Sequence, residues 1–161
     1  MAAQKEGMIC TRPFEWYEVH PDGSVFLCCP AWLKRPVGNL LTQSVEEIWN
    51  GARAREIRKT ILNGSYHCCN SKRCPCLANG NGPVMLREAI ADREVRLALE
   101  NGLSTLPYRP KKLNLCFDHS CNIACPTCRT VKRQANGVEL ERARRIAELV
   151  LDQLIPNATE V

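Results

Sequence analysis

Eleven cysteines, gathered into a few tight groups, constrain this chain more than any other feature. They fall at Cys10, Cys28-Cys29, Cys68-Cys69, Cys74-x-Cys76, Cys116, and the run Cys121, Cys125, Cys128. Cysteines at this density serve either a disulfide framework or metal. A disulfide scaffold belongs to exported proteins, and residues 1–10 carry no apolar stretch of the length an export signal needs. No apolar run approaches the roughly 20 residues that span a bilayer. The expected setting is the reducing cytoplasm, where clustered thiols favour metal. An odd count also cannot pair completely within one chain.

The length of 161 residues gives room for one compact domain or two small ones. Aromatic residues are only 6% of the chain, so its core must come mostly from Leu, Ile, Val and Ala. The formal charge of +5 counts every cysteine as a neutral thiol. Metal-bound cysteines are thiolates, and metallation would remove much of that positive balance. Charge therefore argues for neither a nucleic acid nor a membrane partner. Arg53, Arg55, Arg58 and Lys59 read as a solvated basic helix face. No Ser–His–Asp set, phosphate loop, dinucleotide fingerprint or paired-carboxylate site is present, so hydrolase and kinase chemistry has no support.

Residues 10–30 read as a β-hairpin turning at Pro21-Asp22-Gly23-Ser24. Ser44 and Glu47 form a capping box that opens a helix through Ile61, with Gly51 as an interruption. Residues 65–82 read as a loop, and 83–100 as helix broken at Asp92. Residues 103–110 look like a linker. Lys112 to Phe117 alternate as a strand, and Ala143, Ile146, Ala147, Val150 and Leu154 form one stripe of an amphipathic helix that Pro156 closes. Thr159-Glu160-Val161 has the character of another strand. Trp16, Trp32 and Trp49 are expected core anchors in a small module.

Cys121, Cys125 and Cys128 give C-x3-C-x2-C directly after a strand and before a helix. Three thiolates at this spacing suit three corners of a 4Fe–4S cube and leave one iron open to a small molecule. The segment KLNLCFDHSCNIACPTCR, Lys112 to Arg129, resembles the first strand and cluster loop of the radical S-adenosylmethionine superfamily. That resemblance implies that Cys121, Cys125 and Cys128 ligate the cluster. The open iron would chelate S-adenosylmethionine, an external donor such as ferredoxin or flavodoxin would supply an electron, and the resulting radical would abstract hydrogen from an unknown substrate. Thr127 stands where the family usually has an aromatic residue that meets adenine through its backbone. A zinc site with Cys116 or His119 as fourth ligand, and a thioredoxin-like pair at Cys125 and Cys128, are the rival readings of the same residues. Arg129, Lys132 and Arg133 would favour thiolates there, or form a plain basic turn. A full barrel needs roughly 250 residues, and 111–161 supply about one βα unit. The resemblance therefore implies a truncated barrel, inactive by itself.

Cys10, Gly23 and Cys28 give C-x12-G-x4-C across the hairpin. Together with Gly38-Asn39-Leu40, Glu47-Ile48-Trp49-Asn50 and the cysteine-rich close, the stretch Cys10 to Leu77 resembles the SPASM and twitch modules that carry auxiliary iron–sulfur clusters. The resemblance implies one auxiliary 4Fe–4S cluster, with Cys10, Cys28, Cys69 and Cys74 as the chosen ligands and Cys29, Cys68 and Cys76 as alternates. Adjacent cysteines diverge, so one of each pair is expected to ligate. A small zinc site in the same pocket, joined by His67, is the alternative. The fuller SPASM pattern, C-x2-C-x5-C-x3-C and one more, is not met, which implies a single cluster.

The expected fold is an α+β N-terminal cluster-binding module, hairpin plus helices, over 1–80. A helical linker follows over 81–110, and then the first βα unit of an incomplete radical S-adenosylmethionine (β/α) barrel over 111–161. Module before barrel reverses the usual order of the family and implies either a permuted arrangement or a chain cut from a longer one. A non-catalytic iron–sulfur or zinc module, serving electron transfer or protein contact, is the competing function.

Overall fold

The computed structural model describes residues 7–121, 123, 125, 127–128 and 131–161. Asp22 and Gly23 build the hairpin at its centre. The Asp22 carboxylate accepts from the Ser24 backbone N–H at 3.0 Å, and Gly23 takes φ +82°, a conformation that a side chain would strain. A Cβ at Gly23 would also lie 2.6 Å from Asn39 Oδ1. The turn joins β2 (Trp16–Val19) to β3 (Ser24–Phe26) in antiparallel register, with Glu18 opposite Phe26.

The Gly38-Asn39 pair forms a short strand, β4 (Gly38–Asn39), on β3. Asn39 Nδ2 then donates to the Asp22 carbonyl at 2.9 Å, which clasps the turn. The other edge of β2 pairs in parallel with β6 (Lys112–Leu115), Val19 standing opposite Leu115. The sheet order is therefore β4-β3-β2-β6. A parallel bridge from Lys112 to Glu160 extends the far edge, where the sequence suggested a further strand.

A second, two-stranded sheet pairs β1 (Met8–Cys10) with β5 (Val84–Leu86). This corrects the expected helix over 83–100. Val84, Met85 and Leu86 take up hydrogen bonds offered by a strand more than 70 residues away, a contact that local periodicity does not report. The helix proper is α5 (Arg93–Glu100), capped by Asp92, whose carboxylate accepts from the Glu94 and Val95 N–H groups. The stretch 65–82 is not all loop either, because Pro75 opens a short helix, α4 (Pro75–Asn79). The remaining helices are α1 (Arg12–Glu15), α2 (Val45–Trp49), α3 (Ala52–Leu62) and α6 (Gly137–Gln153).

The Ser44–Glu47 capping box is present in both directions, at 3.2 and 2.8 Å. Gly51 does separate α2 from α3, since a Cβ there would sit 2.5 Å from the Glu47 carbonyl oxygen. Trp49 Nε1 donates to the Tyr108 carbonyl, and Asn50 exchanges two hydrogen bonds with the Leu106 backbone. These bonds press residues 104–108 onto the core. Arg58, expected on a basic surface, is fully buried instead. It donates to the carbonyls of Pro13 and Ser104 and lies 4.3 Å over the Trp49 ring.

Of the three tryptophans only Trp49 is a core residue; Trp16 and Trp32 are half-buried. One hydrophobic core runs from Ile9 through Ile48, Leu99 and Leu113 to Ile146, Val150 and Leu154, so all three expected stretches share it. No helix among the described residues is long and apolar enough to cross a membrane.

Candidate iron–sulfur site

Four thiols arrive at one pocket from four separate elements. Cys10 ends β1, and its N–H donates to the Tyr66 hydroxyl at 3.3 Å. Cys28 follows β3 at the end of the hairpin remote from its turn. Cys69 follows α3 by a tight turn in which its N–H donates to the Tyr66 carbonyl at 2.9 Å. Cys74 caps α4, its N–H donating to the Asn70 carbonyl at 2.9 Å. Tyr66 thus touches the backbone of two of the four cysteines. It does so at φ +50°, a strained conformation for a bulky side chain, and it is only 4% exposed. Sequence reasoning missed it, because its place depends on β1 and α3 meeting.

Burial dominates the electrostatics here. It pushes the Cys10 thiol far above its ordinary range, and the charges that Cys28, Cys69 and Cys74 would carry push it further. Burial likewise raises Cys28 to about 12, against a lowering by Arg12 and further raising by Cys69 and Cys74. Cys69 rises to about 11 from burial, with Cys68 and Cys74 adding. Cys10 thus feels Cys28, Cys69 and Cys74, and both Cys28 and Cys69 feel Cys74. A cation acting on Cys28 is Arg12, held 3.8 Å over the Trp16 ring.

Burial makes Cys10, Cys28 and Cys69 costly to ionise alone. A group that supplies several iron charges and replaces water as partner removes that cost, so the donor set suits an iron–sulfur cluster.

The alternates separate by position. Cys29 is exposed, its carbonyl accepting from Trp32 and Leu33. Cys76 borders the pocket beside Cys74 and Arg12, and burial raises its thiol. Cys68 lies beside Glu56 and His67 and also acts on Cys69.

The C-terminal loop is arranged differently. Cys121 is half-buried and bridges Arg133, its N–H donating to the Arg133 carbonyl at 2.7 Å. Cys125, Thr127 and Cys128 are exposed, with the Cys128 N–H donating to the Cys125 carbonyl at 2.9 Å. Cys116 is tied to the sheet through the Val19 carbonyl. His119 lies on the exposed run 118–120. Lys132 and Arg133 are exposed, Arg133 pairing with Glu139 at 3.3 Å; Arg129 falls outside the described residues.

Because β3 opposes β2 and β6 parallels it, Cys28 and the C-terminal loop leave the sheet at opposite ends. No curated protein and no solved structure matches the chain. Residues 10–75, which carry all four thiols of the buried pocket, match the SPASM family model, described as an iron–sulfur cluster-binding domain.

Proposed function

We propose that this chain is a cytoplasmic protein of two iron–sulfur sites, an auxiliary 4Fe–4S cluster in the buried pocket and a S-adenosylmethionine-binding one in the C-terminal loop. Cys10, Cys28, Cys69 and Cys74 hold the first. Cys121, Cys125 and Cys128 hold the second, with Thr127 beside S-adenosylmethionine. The convergence of four desolvated thiols within the matched segment carries the first assignment.

The second rests on the C-x3-C-x2-C spacing and on where the loop lies. It leaves the C-terminal end of β6, a strand parallel to β2, and chemistry in α/β barrels collects at such ends. When bound, a cluster with one open iron supplies the electron that cleaves S-adenosylmethionine, drawn from a donor such as ferredoxin or flavodoxin. The chain's own residues position the thiolates and shield the auxiliary pocket from water. Lys111, tied to Asp92 and Glu94 at 2.6 Å each, fixes the approach to β6.

The test is metal and sulfide analysis of anaerobically purified protein. About eight irons with equal sulfide are expected from two 4Fe–4S sites. The reduced spectrum of the C-terminal site should shift on adding S-adenosylmethionine. Four irons and no shift would leave the auxiliary cluster and remove the radical chemistry. Zinc without sulfide would remove both.

A further inference from the structure

We propose that Glu56, His67 and Cys68 form a mononuclear zinc site that shares no ligand with the four-cysteine pocket and does not rest on the iron–sulfur reading. One ligand atom from each residue lies within 4.8 Å of the others, a span that a single ion can draw together.

The chain path explains the meeting. α3 presents Glu56 on its exposed side, and the turn at Asn63-Gly64 sends the chain back along the helix. The Tyr66 N–H donates to the Thr60 carbonyl at 2.9 Å, which fixes residues 65–68 beside α3. Tyr66 then divides the neighbouring cysteines. Its carbonyl holds Cys69 toward Cys74 and Cys10, and Cys68 turns to Glu56, whose carboxylate its thiol hydrogen-bonds.

Two further features suit a metal. Ser65 Oγ lies 3.1 Å from His67 Nδ1, the kind of partner that steadies a ligating imidazole through its other nitrogen. Arg53 holds Glu56 Oε2 at 2.7 Å, which leaves the second carboxylate oxygen for the ion.

The donor set selects the ion. One thiolate, one imidazole and one carboxylate suit zinc, whereas magnesium and calcium want oxygen alone. Thiolate and carboxylate together balance the two charges of the ion. Three protein ligands leave a fourth position to solvent, as in zinc sites open to a ligand. Cys68 borders an open groove that Cys69, Trp32, Lys34, Arg35 and Arg53 also line.

The experiment uses the full chain, reconstituted anaerobically and dialysed against buffered zinc. Zinc and iron are counted together, and the zinc X-ray absorption edge reports the ligand shell. The expected result is one zinc per chain with a mixed sulfur and nitrogen/oxygen shell. His67→Ala and Glu56→Gln should each weaken zinc binding by about tenfold or more with iron unchanged. Both side chains are exposed, so folding is preserved, and circular dichroism checks it. Zinc binding equal in His67→Ala, no zinc in the parent, or an all-sulfur shell would overturn the site. Loss of the iron–sulfur reading shows differently, as absent iron, and leaves the His67-dependent zinc as the measure of this proposal.

Discussion

The two cysteine regions are built on opposite plans. In the N-terminal pocket the fold brings the thiols together: a strand end, a hairpin end, a tight turn and a helix cap converge, and burial raises Cys10, Cys28 and Cys69. In the C-terminal loop the three proposed ligands lie within eight residues of sequence, and Cys125 and Cys128 are exposed. The first region spends folding energy to assemble a site before any metal arrives. The second relies on short spacing, so its thiols meet a metal through local chain geometry alone. A site assembled by the core should couple metal to global stability, and a site assembled by a loop should not.

The sharpest way to break this contrast is to delete one ligand from each region. Cys28→Ser in the loaded protein should abolish the auxiliary cluster and cost about 3 kcal/mol, a drop of roughly 6–12 °C in Tm. Cys125→Ser should lower iron by one cluster and leave Tm nearly unchanged. Equal drops in a thermal melt followed with iron analysis would erase the distinction.

A smaller effect concerns pH in the metal-free protein. The buried Cys28 thiol titrates near 12, whereas an unfolded thiol does so near its ordinary 9.0. Its folded value is raised, so the associated stability is fully present below about 9 and is lost as pH rises toward 12. Cys69, raised to about 11, acts in the same direction. Urea midpoints should therefore fall above pH 9, and Cys28→Ala should flatten the fall.

The smallest expected change comes from Ser44→Ala. It removes both arms of the capping box and should cost about 1 kcal/mol in urea unfolding. The box is exposed and its hydrogen bonds run between Ser44 and Glu47, so iron content should stay the same. Iron loss in this variant would mean that the pocket depends on α2 more tightly than the geometry indicates.

Much was legible because it is local. The Asp22-Gly23 turn, the Ser44–Glu47 box, the break at Gly51 and the buried stripe of α6 are each written within a few residues, and each is present. The strand at Val84–Leu86 was not, since its helical periodicity was overridden by pairing with Met8–Cys10. Arg58 read as surface charge, and its burial depends on carbonyls at Pro13 and Ser104, far away in the chain.

By itself the sequence determined that this is a thiol-rich protein with clustered cysteines, a hairpin, and a strand leading through a cysteine loop into a helix. Spacing and turn chemistry act over a few bonds, so they can be read directly. Only the tertiary structure decided that Cys28 is half-buried while Cys29 is exposed, that Tyr66 links Cys10 to Cys69, and that one core joins residues 9 to 154. Those outcomes depend on burial and on side-chain direction after distant elements pack, which no short stretch of sequence specifies.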